Sequence, residues 1–259
     1  DSIPPSVAIA PVAPNPRAAS VTSISITFSE PIAGFDLADL ALFRDGIALP
    51  LPLGALAGSG PTYSLDTSSL TALSGAYELR LTSLASGIAD AAGNALPSGA
   101  SQTWLTDTAA PTADILDITP DPRNVAVSVA TIVFSEAVTG VDLTDFSLTR
   151  DGVPVSLADI GLISAGNTYL LSLSTVTIDG GTYFLRLPSL GSGIQDLAGN
   201  SLASDATDEW QIDQFRPSAD IIDVTPDPRG SPVGLVTIQF DKPVLGVDPS
   251  DFQLARNGT

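Results

Sequence analysis

The sequence predicts an all-β protein made of tandem repeats. When the chain is shifted by 106 positions without a gap, 45 of the 106 aligned positions (5–110 against 111–216) are identical. Chance does not give this agreement without gaps, so the chain is a tandem array. The 259 residues comprise two full periods and 47 further residues, which places the units at 1–106, 107–212 and 213–259. The third unit is expected to be an incomplete sandwich.

Within a unit, apolar residues recur at every second position, as at Ile24, Ile26 and Phe28. This period is typical of strands with one buried face, and we find no apolar stripe of an amphipathic helix. Seven strands in about 100 residues is the size of an immunoglobulin-like sandwich. We therefore predict tandem immunoglobulin-like β-sandwiches with an exact 106-residue repeat. The strands of the first unit are predicted near 7–13, 20–29, 39–44, 47–53, 62–68, 76–82 and 100–107, and those of the second unit 106 residues later.

Turn-forming dipeptides separate several of these strands. Asp45-Gly46, Asp151-Gly152 and Asn257-Gly258 lie between apolar runs. They predict two-residue type I′ hairpins, because both central residues of that turn need positive φ.

Aromatic residues on the predicted strands indicate the core. We expect Phe28, Tyr77, Phe134 and Tyr183 to be buried, together with their apolar strand neighbours. Trp104 and Trp210 are expected in the core or at a joint between units, and the alternative is that they stack on sugars.

The charge balance excludes two classes of partner. The chain carries 29 acidic and ten basic residues, for a formal net charge of −19. Nucleic acid and anionic lipid both attract basic surfaces, so we expect neither as a partner. The uncharged runs at 46–65 and 160–178 are not expected to insert into a membrane, because they lie at matching points of the repeat and the first is rich in Pro and Gly.

The chain contains no Cys, His or Met. This excludes thiol and Ser-His-Asp chemistry, disulfides and soft-ligand metal sites. It also removes the initiator residue, which predicts a processed or excised piece. Paired carboxylates for glycoside hydrolysis remain, but a catalytic pair duplicated with the whole module is less favoured than a structural role. We therefore expect no enzymatic activity.

The segments FSEPIAGFDLADLALFRDG (28–46), FSEAVTGVDLTDFSLTRDG (134–152), GIADAAGN (87–94) and GIQDLAGN (193–200) resemble bacterial Ig-like repeats of large surface adhesins and secreted proteins. The resemblance covers both full units and the partial third. It implies an extracellular or cell-surface module used as a spacer, stalk or adhesive element, often one that binds calcium between domains. The third unit departs from the pattern at Asp241-Lys242, where the first two units have Ser-Glu.

Acidic and amide side chains are predicted to gather where one unit enters the next. In an immunoglobulin-like sandwich, the loop after the second strand and the loop before the last strand lie at the same end, so their oxygens form a candidate calcium site of six to eight hard ligands. The candidate ligands are Glu30, Asp36, Asp39, Asp90 and Asn94 near Asp1, and Glu136, Asp142, Asp145, Asp196 and Asn200 near Asp107.

The alternative for these residues is that they cap turns. Asp36 has the position of an N-cap before a short turn, and Gly93-Asn94 suits a left-handed turn. The sequence leaves both alternatives open.

The function favoured by these observations is a structural one, namely an extended array that forms a stalk or fibre of a bacterial surface protein and is stiffened by calcium at its joints. The alternatives are an adhesive module that binds a glycan or host protein, and a spacer in a secreted multidomain enzyme. Neighbouring repeats or copies of the chain itself are the expected partners. The third unit is expected to be completed by its own chain or by strands of another copy, and we favour a polymeric context.

Overall fold

The computed structural model describes residues 2–256. These residues form 22 strands and three 3₁₀ helices, and they include no α-helix. None of these helices is long and apolar enough to cross a membrane. The strands of the first unit are β1 (Val7–Ile9), β2 (Ser23–Phe28), β3 (Ile32–Ala33), β4 (Leu40–Arg44), β5 (Ile47–Leu49), β6 (Leu56–Ser59), β7 (Thr62–Asp66), β8 (Gly75–Leu81), β9 (Ala89–Asp90) and β10 (Ala100–Thr106).

The second unit repeats this succession of elements. Its strands are β11 (Ala113–Ile115), β12 (Val129–Phe134), β13 (Val138–Thr139), β14 (Ser147–Arg150), β15 (Val153–Val155), β16 (Leu162–Ala165), β17 (Thr168–Ser172), β18 (Gly181–Leu187), β19 (Gln195–Asp196) and β20 (Ala206–Ile212). The third unit contains β21 (Ala219–Ile221) and β22 (Ile238–Phe240). The 3₁₀ helices span Leu37–Asp39, Leu143–Asp145 and Pro249–Asp251.

Each of the first two units is a sandwich of two four-stranded antiparallel sheets. The strand orders are β1-β2-β7-β6 and β10-β8-β4-β5 in the first unit, and β11-β12-β17-β16 and β20-β18-β14-β15 in the second. This is the strand order of an immunoglobulin sandwich in which an extra strand, β5 or β15, pairs with the outer side of β4 or β14. The predicted all-β fold of tandem immunoglobulin-like sandwiches is therefore confirmed. A short pair, β3 with β9 or β13 with β19, joins the loop after the second strand to the loop before the last.

Each sandwich has its own core. The alternation predicted from the sequence is seen in β2, where Ile24, Ile26 and Phe28 are buried and the residues between them are exposed. The other aromatic residues predicted for the core, Tyr77, Phe134 and Tyr183, are also buried. The two cores consist of separate sets of residues, so each unit holds the apolar surface that it needs to fold.

Both tryptophans lie in these cores. Trp104 stacks on Tyr77 with ring centroids 5.3 Å apart, and Trp210 stacks on Tyr183 at 5.6 Å. The residues Trp104 and Trp210 are only 2% and 1% exposed. Their rings are therefore inaccessible to a sugar, and of the two alternatives the core placement is the one observed.

The turns follow their predicted chemistry. Asp45 and Gly46 have φ values of 52° and 79°, and Asp151 and Gly152 have values of 51° and 78°. Positive φ at both central residues is the mark of a type I′ hairpin. The third predicted hairpin, Asn257-Gly258, lies outside the described residues.

Some strand predictions need correction. The strand predicted at 7–13 ends at Ile9, and its counterpart in the second unit ends at Ile115. Both strands lead into segments with two prolines, Pro14 and Pro16 or Pro120 and Pro122, which cannot donate hydrogen bonds to a ladder. The sequence did not predict strands β6 (Leu56–Ser59) and β16 (Leu162–Ala165). Their small residues have weak strand propensity. Pairing with the neighbouring strands β7 and β17 forms them nevertheless.

The third unit has strands but no core among its described residues. β21 and β22 form a two-stranded sheet, and the predicted strand at Phe252–Leu254 does not form. Ile221 is 59% exposed, whereas Ile115 at the same point of the second unit is 1% exposed. The difference arises because residues 213–256 provide no second sheet to cover this face. Completion of the unit by its own chain or by another copy stays a prediction.

A buried hydroxyl links two loops in each sandwich. Thr177 is completely buried, and its Oγ1 accepts a hydrogen bond of 3.0 Å from the Val127 backbone N–H. Thr71 makes the same bond with Val21 in the first unit, also at 3.0 Å. The hydroxyl is therefore the partner of a backbone donor that has no access to water.

We expect Thr177→Val to destabilise the second unit by about 1–3 kcal/mol, because it leaves the buried Val127 N–H without a partner. Urea unfolding followed by tryptophan fluorescence measures the effect, and Thr71→Val should act in the same way on the first unit. Thr207→Val, at an exposed position of β20, is the matched control. Equal stability of Thr177→Val and Thr207→Val would contradict the assignment.

Candidate metal centre at the joint between the first two units

The joint between the first two units is organised around Asp107, the residue after β10. Its backbone N–H donates to the Arg17 carbonyl at 2.9 Å. Its own carbonyl accepts a bond of 2.8 Å from Asn200 Nδ2. One residue of the linker is thus bound to the first unit through its nitrogen and to the second unit through its oxygen.

A second contact bridges the same joint. The Ala18 N–H of the first unit donates to the Ala198 carbonyl of the second at 3.0 Å. Arg17 and Ala18 were not among the residues predicted for this joint. An arginine recurs at 17, 123 and 229, and this recurrence marks a conserved point of the repeat unit. It could not predict the contacts, because Arg17 and Ala18 contribute backbone groups and residue type says little about those.

The loop between β19 and β20 is shaped by Asp196. Its Oδ1 accepts bonds of 2.7–2.8 Å from the N–H groups of Ala198, Gly199 and Asn200, and its Oδ2 accepts one of 2.7 Å from Asn200 Nδ2. Burial works to raise the pKa of Asp196, but the bonds from Asn200 and the loop N–H groups lower it overall. The carboxylate therefore stays ionised while the residue is only 4% exposed.

Glu136 lies two residues after β12 and brings a third carboxylate to the joint. One carboxylate oxygen from each of Asp107, Glu136 and Asp196 lies within 4.8 Å of the others. Burial raises the pKa of Glu136, and the charges of Asp107 and Asp196 raise it further. The ion pairs Arg80–Glu78, Arg150–Asp179, Arg186–Asp205 and Lys242–Asp213 all lie away from these three carboxylates.

These three residues fit a hard divalent cation. One carboxylate oxygen from each residue meets at this point, and oxygen ligands are the chemistry that Ca²⁺ takes. Asn200 supports the site as a hydrogen-bond donor, since its Nδ2 contacts both Asp107 and Asp196. A cation here would offset the repulsion that raises the pKa of Glu136.

Asp142 and Asp145 are not part of this group of three. Asp142 is the N-cap of the 3₁₀ helix Leu143–Asp145, where its Oδ1 accepts from Thr144 N at 2.7 Å. Asp145 accepts from the Asp142 N–H at 2.8 Å, which completes a capping box. Burial raises the pKa of Asp145. For these two residues the structure shows the turn-capping alternative.

The first unit contains the same local structures. Asp36 and Asp39 form a capping box around Leu37–Asp39. Asp90 accepts from the Asn94 N–H and Nδ2 at 2.8 and 2.7 Å, as Asp196 does from Asn200. Glu30 holds the position of Glu136, and Asp1, the counterpart of Asp107, lies outside the described residues. Whether Glu30 and Asp90 form a group of three carboxylates with Asp1 therefore stays a prediction.

Comparison with known proteins gives structural likeness at low identity. The I-band fragment I67–I69 of titin is 12% identical, with 97% of this chain and 91% of that chain covered and a TM-score of 0.39. The titin domains Z1Z2 in complex with telethonin are 15% identical, with 82% and 98% covered and a TM-score of 0.26. The N-terminal part of the bacterial S-layer protein SbsC is 13% identical, with 82% and 44% covered and a TM-score of 0.29.

No protein-family model and no curated protein sequence matches the chain. The TM-scores of the three structures above all lie below 0.5. The assignment to the immunoglobulin-like fold rests accordingly on the strand order of the two sandwiches.

The electrostatics of the joint predict a pH dependence. Because the folded state raises the pKa of Glu136 above its ordinary value of 4.5, it binds this proton more tightly than the unfolded state does. The stability from this proton is present below pH 4.5 and is lost as the pH rises through the raised pKa. In chelator, we expect Glu136→Gln to be more stable than wild type at pH 7, with the difference disappearing below pH 4.5.

Thermal unfolding of both proteins between pH 3.5 and 8 tests this expectation. Glu209→Gln removes the same charge from an exposed position of β20 in the same unit, and its difference from wild type should not follow this profile. A Glu136→Gln variant that is less stable than wild type at pH 7 would show that burial and repulsion do not destabilise the Glu136 carboxylate as described.

Proposed function

We propose that the chain is a section of a stiff, non-enzymatic extracellular array, a stalk or spacer of a bacterial surface protein, in which calcium fixes the joint between the first two units. The observation that carries the proposal is the meeting of Asp107, Glu136 and Asp196 at that joint. Asp107 lies in the linker at the start of the second unit, while the other two carboxylates belong to the sandwich of that unit. A cation bound by all three would connect the linker to the sandwich that follows it.

The linker itself supports stiffness. Thr108 N donates to Ser74 Oγ at 2.9 Å in the first unit, and the Pro111 carbonyl accepts a bond of 2.9 Å from Ala203 N in the second. Residues 107–111 are therefore bound to a sandwich at both ends. A Gly/Ser tether has no such contacts and behaves as a flexible coil.

An extracellular location suits such a centre. Calcium sites in extracellular modules bind with dissociation constants of about 10⁻⁴–10⁻³ M, and a partly exposed group of three carboxylates belongs to this weak class. The proposal of a bacterial surface also draws on the resemblance of residues 28–46 and 134–152 to adhesin repeats. The net charge of −19 keeps such an array soluble and would repel neighbouring arrays.

The adhesive alternative has less support from the described residues. The two tryptophans offered as sugar platforms are in the cores. Tyr77 and Tyr183 are buried beneath them. A glycan or host-protein ligand would need another surface, so the structural role is the better supported of the two.

We expect calcium to raise the melting temperature of the second unit. Millimolar calcium is about 1–10 times the Kd of such a weak site. A ligand that binds only the folded state at this concentration stabilises it by about 0.4–1.4 kcal/mol. In a domain of about 100 residues, each kcal/mol raises Tm by about 4–8 °C. Differential scanning calorimetry in chelator and in millimolar calcium measures the increase, and Asp107→Asn or Glu136→Gln should abolish it.

Asp142→Ala is the matched control for these variants. It removes an acidic residue of the same unit and an N-cap, so we expect it to lower stability by about 0.5–2 kcal/mol while it leaves the calcium increment intact. Identical melting of the wild-type chain in chelator and calcium would exclude the metal centre. Loss of the increment in Asp142→Ala would show that the ion binds at the capping box instead.

A further inference from the structure

The third unit carries a basic residue where the others carry an acid. In each unit, the strand that pairs with the first strand ends in a phenylalanine. The residue two positions after it is Glu30 or Glu136 in the first two units and Lys242 in the third. The pairs Val7↔Phe28, Ala113↔Phe134 and Ala219↔Phe240 place the three phenylalanines at the same point of their sheets. Lys242 therefore holds the structural position of Glu136.

The neighbouring residue supports this equivalence. In the second unit the Thr112 N–H donates to Ser135 Oγ at 3.0 Å. In the third unit the Ser218 N–H donates to Asp241 Oδ1 at 2.9 Å. The local backbone is thus the same in the two units, although Ser135-Glu136 is replaced by Asp241-Lys242.

Lys242 contacts the linker that precedes its unit. Its Nζ donates to Asp213 Oδ2 at 2.8 Å and to the Phe215 carbonyl at 2.7 Å. Asp213 is the counterpart of Asp107, and its N–H donates to the Arg123 carbonyl of the second unit at 2.7 Å. The ammonium group therefore connects the sheet of the third unit to Asp213, a linker residue that is bound to the second sandwich.

The two joints have opposite electrostatics. At the first joint the Glu136 carboxylate faces Asp107 and Asp196, and like charges oppose one another. At the second joint an ammonium group faces the carboxylate of Asp213. Lys242 lowers the pKa of Asp213 by hydrogen bonding to its ionised form, whereas the surroundings of Glu136 raise its pKa. The second joint has its positive charge within the chain.

We propose that Lys242 is a built-in cation that holds the joint between the second and third units without metal. The chain then combines one joint that depends on calcium with one that does not. This inference rests on the proposed function of the first joint, but the contacts of Lys242 exist independently of any ion. Removing calcium would loosen the array at the first joint and leave the second in place.

Distances between spin labels across each joint test the proposal. The chain has no native cysteine, so introduced cysteines are labelled selectively. Leu190→Cys with Leu245→Cys spans the second joint, and Leu84→Cys with Leu190→Cys spans the first. These leucines are 86–100% exposed. Pulsed electron double resonance on the full chain gives the distance distribution in chelator and in millimolar calcium.

For the second joint we expect the same distance distribution in chelator and in calcium. Lys242→Gln should broaden it in both conditions, because the amide loses the charge that holds Asp213. Arg229→Gln is the control, since Arg229 donates only to Ser231 and Pro232 of its own unit in the hydrogen bonds observed. A distribution in Lys242→Gln as narrow as in wild type would overturn the proposal.

The reciprocal variant places an ammonium group at the first joint. We expect Glu136→Lys to narrow the distance distribution across that joint in chelator, and to lose the calcium-induced rise in Tm. Glu136→Gln, which removes the repulsion without adding a positive charge, separates the two effects. A Glu136→Lys chain that remains as broad in chelator as wild type would show that a side-chain ammonium cannot act as the cation at this position.

The outcomes distinguish this inference from the proposed function. If calcium changes neither Tm nor the first-joint distances of the wild-type chain, the calcium centre is wrong. The comparison of Lys242→Gln with wild type is made in chelator and still decides whether Lys242 holds the second joint.

Discussion

The structure depends at its joint on the fixed position of one linker residue, Asp107. Its N–H and its carbonyl are bound by different units, which holds its backbone at the joint. Its carboxylate lies beside those of Glu136 and Asp196. The three carboxylates at this joint repel one another unless a positive charge lies between them. The electrostatics of the joint follow from this arrangement.

Asp196 can both shape its turn and face a cation, whereas Asp142 and Asp145 are seen only as turn-capping residues. Asp196 satisfies four donors of its own loop, yet it also lies within the group of three carboxylates. A carboxylate has about four lone-pair sites, which the loop donors largely occupy, so any contact with an ion would be through a shared oxygen. Asp142 and Asp145 each accept a hydrogen bond from the backbone of their own capping box, which gives them a local structural role.

The sequence predicted more of the fold than of the site. The gapless repeat and the two-residue alternation located the sandwiches, their cores and the Asp-Gly hairpins, because periodicity reports burial directly. The same evidence assigned Asp142 and Asp196 alike to the centre. Their difference depends on φ and ψ in short loops, and residue type carries little information about those angles. The β6 and β16 strands were missed for a related reason, since they form by pairing with β7 and β17 and not by their own propensity.

A repeat that keeps its backbone while single side chains change can alter one joint without refolding a unit. Phe134 and Phe240 lie at the same register of their sheets, and in both units the residue two positions later lies beside the linker. Its charge then decides how the linker is held. Since no core residue is involved, such a change does not alter the apolar packing that supports each sandwich. Stiffness along an array of this kind can therefore vary from joint to joint independently of the stability of the units themselves.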